Sequence, residues 1–146
     1  DVYKRQGLPY EPLVSDSIQA GVDVVTFSGD KVLGGPQCGI IVGKKEAVEQ
    51  ISKNPLMRAL RCGKLTYATL EATLKLFRNP DALKKDHPTL RMLTEDVSTL
   101  NRRGRRLLNA IGELDGYTCE LVASKAQTGS GALPLEEIPS MGLERK

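Results

Sequence analysis

Tryptophan is absent from the 146-residue chain, aromatic residues make up only 4% of it, and there is a single histidine, His87. A core must therefore be assembled from Leu, Ile, Val and Ala. One histidine, with no cysteine or acidic cluster beside it, supplies too few ligands for a metal site. The three cysteines, Cys38, Cys62 and Cys119, are odd in number, widely spaced and form no C-x-x-C pair. With no secretory signal in the sequence, that pattern favours free thiols in a reducing cytoplasm over a disulfide framework. No apolar run approaches the roughly 18 residues of a membrane-spanning helix. The net charge of +3 is too small to specify a nucleic-acid partner by itself. What is present is ordinary for a globular chain able to bury one core, with 40% hydrophobic and 27% charged residues.

The most informative stretch runs from Val22 to Glu46. A β-rich apolar run, Val22 to Phe27, ends in Ser28-Gly29-Asp30-Lys31, and a second apolar run spans Cys38 to Val42 after Gly34-Gly35-Pro36-Gln37. Two short strands thus flank a loop with small residues on both sides of one lysine. A strand fixes where that lysine starts, and the glycines admit close approach of backbone or ligand. In a desolvated pocket such an amine attacks carbonyls to form a Schiff base. The same spacing also suits an exposed turn lysine beside a Gly-Gly-Pro turn.

Along the chain, Pro9 to Pro12 is turn-like, and Leu13, Ser17 and Ala20 predict a short helix closed by Gly21. Lys45 to Lys53 reads as a helix with Val48 and Ile51 on one face, broken by Asn54-Pro55. Thr66 is the expected N-cap of a helix over Tyr67 to Phe77, which Asn79-Pro80 ends. Residues 81–88 are polar and read as a linker, with His87 on the surface. Thr89 to Ile111 predicts one long helix, with a break possible at Gly104. Gly116 to Val122 reads as a strand, Gln127 to Gly131 as a turn, and Ala132 to Leu135 as a returning strand. Alternating strands and helices in the first half indicate an α/β sheet layer, and the second half a separate α+β lobe.

A resemblance adds to this reading. Phe27-Ser28-Gly29-Asp30-Lys31, Leu33-Gly34-Gly35-Pro36-Gln37 and Gly39 to Glu46 are followed by Pro55-Leu56, Arg58-Ala59-Leu60-Arg61 and Lys64-Leu65-Thr66. Leu70-Glu71-Ala72-Thr73-Leu74, Pro88 to Thr94 and Gly129-Ser130-Gly131-Ala132-Leu133-Pro134 come next. From about Gly7 to Ser140 the run resembles, collinearly, the lysine segment of the bacterial selenocysteine synthase family, the L-seryl-tRNA(Sec) selenium transferases. The resemblance implies a partial fold type I of the pyridoxal phosphate (PLP) enzymes. Residues 7–80 would form the C-terminal part of the large sheet domain, 81–88 a linker, and 89–146 part of a small C-terminal domain. Residues 1–6 do not follow the family pattern and read as a leader. The aspartate that pairs with the cofactor's pyridinium nitrogen in the family has no match here, so the chain is expected to be a fragment.

By the same resemblance, Lys31 holds PLP covalently and then moves protons at the substrate's Cα. Ser28 directs its hydroxyl to the cofactor phosphate, or simply caps the turn. Asp30 either orients the amine or helps remove the serine hydroxyl. Arg58 and Arg61, spaced i, i+3, would share a helical face and bind selenophosphate, for which forked guanidinium donors are suited. Cys62-Gly63 departs from the family's usual Val-Asp before Lys64. The implied reaction converts seryl-tRNA(Sec) to selenocysteinyl-tRNA(Sec) through an aminoacrylyl-tRNA, in a large ring-shaped homo-oligomer. Arg102, Arg103, Arg105 and Arg106 could touch tRNA phosphates or form a solvated helix face. Two other readings stand beside this one: a related PLP lyase acting on a small amino acid or amino sugar acid, and a truncated module without catalysis. The retained Asp30-Lys31 pair, with Arg58 to Arg61, favours the tRNA enzyme over the lyase.

Overall fold

The computed structural model describes residues 8, 12–113, 115–127 and 137–146. They fall into two compact units, divided between Arg91 and Met92. The first unit opens with α1 (Val14–Gln19) and β1 (Val24–Ser28), then β2 (Gly39–Gly43) and α2 (Lys45–Ser52). It continues with α3 (Leu56–Ala59), α4 (Lys64–Leu76), α5 (Pro80–Asp86) and the start of α6 (Pro88–Leu93). The second holds α7 (Val97–Ile111), β3 (Cys119–Ala126) and β4 (Ile138–Arg145). The described residues thus form a mixed α/β structure with two small antiparallel sheets.

β1 and β2 pair antiparallel from Val24↔Gly43 to Ser28↔Gly39. The sheet layer expected in the first half is therefore one two-stranded pair among the described residues. No helix intervenes between the two strands, so the connection is a hairpin loop rather than a parallel crossover. Gly29 N–H donates to Cys38 O at 2.9 Å and Lys44 N–H to Asp23 O at 2.9 Å, extending the ladder at both ends.

α2 follows the expected boundaries, with Val48 and Ile51 half-buried and Lys53 as its C-cap. The break at Asn54-Pro55 is also observed; Asn54 Oδ1 accepts from Leu56 N–H at 3.0 Å and starts α3. α4 begins earlier than Thr66 suggests. Gly63 is its N-cap, and its carbonyl accepts from Tyr67 N–H at 3.3 Å. Thr69 and Thr73 are accommodated inside α4 because their hydroxyls donate back to Leu65 O and Thr69 O, at 2.8 and 3.0 Å.

The expected linker over 81–88 is not one. Asn79 caps a new helix, its side chain accepting from Ala82 N–H at 3.4 Å, and Pro80 takes the first helical position, where a missing N–H costs nothing. Leu83 on α5 and Leu90 on α6 are fully buried, each such burial being worth roughly 1.5–3 kcal/mol. His87, expected on the surface, is only 1% exposed. It is extended (φ −95°, ψ 110°), as the residue before a proline tends to be, and it joins the two helices.

The long helix expected from Thr89 to Ile111 is two, separated at Thr94 to Asp96 rather than at Gly104. α7 runs unbroken through Gly104, whose missing side chain admits β3. A Cβ there would lie 2.5 Å from Leu121 Cδ1. β3 and β4 pair antiparallel from Cys119↔Arg145 to Ala126↔Ile138. The strand expected over 116–122 thus starts later and runs further. The returning strand expected over 132–135, most of the turn over 127–131 and the first seven residues lie outside the described residues.

Candidate active site

The loop from Gly29 to Cys38 is held by a short series of backbone bonds. Gly34 N–H donates to Lys31 O and Gly35 N–H to Gly29 O, both at 2.8 Å. The first closes a four-residue turn, Lys31 to Gly34. Gly34 has φ +70°, a region that disfavours any side chain. Gly35 lies beneath α4: a Cβ on it would sit 3.4 Å from Leu70 Cδ1 and 3.6 Å from Thr73 Oγ1. Val32, in the turn, is buried, and so is Gly29.

Against that framework Lys31, Asp30 and Ser28 all present exposed side chains. The desolvated pocket expected around Lys31 is therefore not formed by the described residues. Instead, buried neighbours on both sides, Gly29 and Val32, fix a backbone from which the amine projects. None of the described ion pairs involves Lys31. Ser28 is the last residue of β1, opposite Gly39, which places its hydroxyl at the mouth of the same loop.

Arg58 lies in the last turn of α3 and Arg61 beyond its C-cap, Leu60; both are exposed. The expected common helical face is not formed, because α3 stops at Ala59. Among the described hydrogen bonds and ion pairs none joins these arginines to the lysine loop. Cys38 lies just before β2 and is half-buried, as is Cys62. On α4, Lys75 beside Glu71 at 2.7 Å holds that carboxyl below the usual carboxylate range through a hydrogen bond and charge.

The residue that sequence reasoning missed is His87. Its Nε2 lies 2.8 Å from Leu33 O, and its Nδ1 accepts from Leu90 N–H at 3.2 Å. Phe77 meets its ring edge-on, with centroids 5.3 Å apart at 78°. The available signal was Asn79-Pro80, an N-cap followed by a first-position proline, which announces a helix where a linker was expected.

In the second unit, Val97, Ser98, Asn101, Arg102, Arg105, Arg106 and Asn109 line an open groove of about 590 Å³ on α7. Its arginines are partly engaged on their own helix: Arg105 Nε donates to Asn101 Oδ1 at 2.8 Å and Arg102 to Thr99 Oγ1 at 3.2 Å. Arg103 pairs with Glu95 at 3.0 Å. Among the described residues no group of three or more His, Cys, Asp or Glu could hold a metal, and no helix is long and apolar enough to cross a membrane.

These features define a class: an α/β segment that presents one lysine amine on a braced, glycine-framed hairpin loop, with a hydroxyl and a carboxylate close by in the chain. Comparison with known proteins makes it particular. The model of the family described as L-seryl-tRNA selenium transferase matches residues 2–145, and the chain belongs to that family. The matched range includes residues 2–6, set apart above as a leader. The chain is 49% identical over 138 residues to the L-seryl-tRNA(Sec) selenium transferase of Alkaliphilus metalliredigens, covering 94% of this chain and 30% of that protein. It is 48% identical over 139 residues to that of Proteus mirabilis, covering 94% and 30%. For the Yersinia pestis enzyme the identity is 48% over 141 residues, covering 95% and 30%. The chain thus spans about 30% of the length of the curated relatives it matches.

Proposed function

We propose that the chain carries the lysine segment of a PLP-dependent L-seryl-tRNA(Sec) selenium transferase of fold type I. The whole enzyme would convert seryl-tRNA(Sec) to selenocysteinyl-tRNA(Sec) with selenophosphate. The observation that supports it most is the exposed Lys31 on a loop braced at Gly29, Gly34 and Gly35, in a chain of that family. The residues present suit PLP. A primary amine is available for covalent attachment, Ser28 offers a hydroxyl to a phosphate, and the glycines leave room for close approach. When bound, that cofactor supplies the electron sink for charge developing at the substrate's Cα.

The chain's own residues do the rest. Lys31 Nζ would hold the cofactor, and as a free amine it would take and return the proton at the substrate's Cα. The Asp30 carboxylate, next in the chain, orients that ammonium or assists departure of the serine hydroxyl. Ser28 Oγ donates to a phosphate oxygen. Arg58 and Arg61 hold the tetrahedral selenophosphate anion through charge-assisted hydrogen bonds, which suits two exposed guanidinium groups separated by a short turn. Homo-oligomer formation, with the lysine loop near a neighbouring subunit, belongs to the same reading. So does enclosure of Lys31, which the described residues of this chain do not provide.

The test uses the chain extended to the relatives' full length. Formation of selenocysteinyl-tRNA(Sec) from seryl-tRNA(Sec), selenophosphate and PLP is expected, and its loss in Lys31→Ala. Undiminished turnover in that variant would refute the assignment, and turnover of a small amino acid or amino sugar acid instead of the tRNA would shift it to a lyase.

A further inference from the structure

We propose that His87 is a positioning residue for Lys31, holding the turn from which the amine projects; this rests on the reading of Lys31 just given. Lysine has a long flexible stem, so the place of its Nζ depends on how firmly its Cα is held. Lys31 is exposed, and packing on its side chain cannot supply that firmness. The constraint must come through the backbone.

His87 is built to provide it. Leu90 N–H donates to Nδ1, so that nitrogen carries no hydrogen, and the neutral ring bears its proton on Nε2. Nε2–H then donates to Leu33 O at 2.8 Å, across 54 residues of sequence. The next residue, Gly34, lies against the same ring: a Cβ there would be 2.3 Å from His87 Cε1 and 2.7 Å from Nε2. Gly34 N–H in turn donates to the carbonyl of Lys31. The ring therefore grips the far end of the turn that begins at the lysine.

The anchor itself is rigid. His87 N–H donates to Leu83 O, and His87 O accepts from Arg91 N–H, both at 2.9 Å, so its main chain is fixed by α5 and α6 together. Phe77, the C-cap of α4, closes the ring's side, and the same helix backs Gly35. A buried imidazole with both nitrogens engaged is costly to disturb, because a lost partner leaves a polar atom without water. Nothing in simple core packing requires a histidine here; a Phe or Leu would fill the volume without touching Leu33 O by hydrogen bond.

The experiment compares His87→Phe, His87→Gln and Lys31→Ala in the chain extended to the relatives' length. Phe keeps the ring volume without the hydrogen bonds; Gln retains an N–H able to reach Leu33 O. Readouts are far-UV circular dichroism, amide exchange at Gly34 and Gly35, the rate of appearance of the lysine-dependent PLP chromophore, and kcat and KM for seryl-tRNA(Sec). His87→Phe is expected to fold, to exchange these two amides roughly 10- to 100-fold faster, and to lose about tenfold in chromophore rate and kcat with KM largely unchanged. Gln should recover most of the loss.

Unchanged exchange and chromophore rate in a folded Phe variant would overturn the proposal. So would collapse of the fold in both variants, or equal impairment in both, since His87 would then be structural support alone. A chromophore that persists in Lys31→Ala would instead refute the lysine assignment, and with it the proposal, whatever the two histidine variants show.

Discussion

Gly34→Ala tests the lysine loop in its backbone. Two costs are expected, and the structure separates them. The first is conformational: φ is +70°, and a left-handed residue with a Cβ costs roughly 1–2 kcal/mol. The second is contact. The new methyl would lie 2.3 Å from His87 Cε1, 2.7 Å from Nε2 and 2.9 Å from Thr89 Oγ1. All three are well inside van der Waals distance, so the imidazole must move and its bond to Leu33 O is lost. Leaving that buried donor unsatisfied costs about 1–3 kcal/mol more. Gly21→Ala is the matched control, because Gly21 has φ +91° but nothing within 4 Å of its Cβ position. Urea unfolding of the wild type and both variants should show Gly21→Ala destabilised by about 1–2 kcal/mol. Gly34→Ala should lose about 2–5 kcal/mol, the sum of the two costs. Equal losses in the two variants would refute the contact between Gly34 and His87, and with it the view that the ring holds the loop.

Four further outcomes are expected. Lys31→Ala should abolish turnover in the extended chain. The 146-residue chain alone should retain PLP weakly, because Ser28, Asp30 and Lys31 are all exposed; spectrophotometric titration against that variant checks this. Arg58→Ala should raise the KM for selenophosphate about 10- to 100-fold with a smaller change for the tRNA, as expected for removal of a charge-assisted hydrogen bond, measured by steady-state kinetics. Gly104→Val should destabilise the second unit by about 1–3 kcal/mol through collision with Leu121, read from thermal or urea unfolding.

The local signals in the sequence carried well where short-range chemistry governs. The two apolar runs around Lys31 pair as strands, α1 spans Val14–Gln19 within the stretch its residues predict, and Asn54-Pro55 does end α2. The errors arose where a residue's role is set by distant partners or by competing local signals. Asn79-Pro80 can stop one helix and start another, and here it does both. Thr94-Glu95-Asp96 breaks a helical pattern that the leucines alone would continue. Arg61 has helical spacing from Arg58, but α3 is one turn long and ends before it. Next to a proline in a polar stretch, His87 gives no local hint of burial, because its partner Leu33 is 54 positions away. The glycine-framed loop between the two strands was legible as a motif. That α4 and the residue joining α5 to α6 pack against that loop was not, since such contacts are a property of the assembled unit.

That separation of 54 residues sets a schedule for synthesis. At about 5–20 residues per second, a ribosome adds the histidine roughly 3–11 s after the carbonyl it will hold. During that interval β1 and β2 can already zip together, since their contacts are local. The arc between them must wait for the histidine, although it is made well before it. A chaperone or a partner strand meeting the nascent polypeptide in those seconds would find the amine's segment still unfastened.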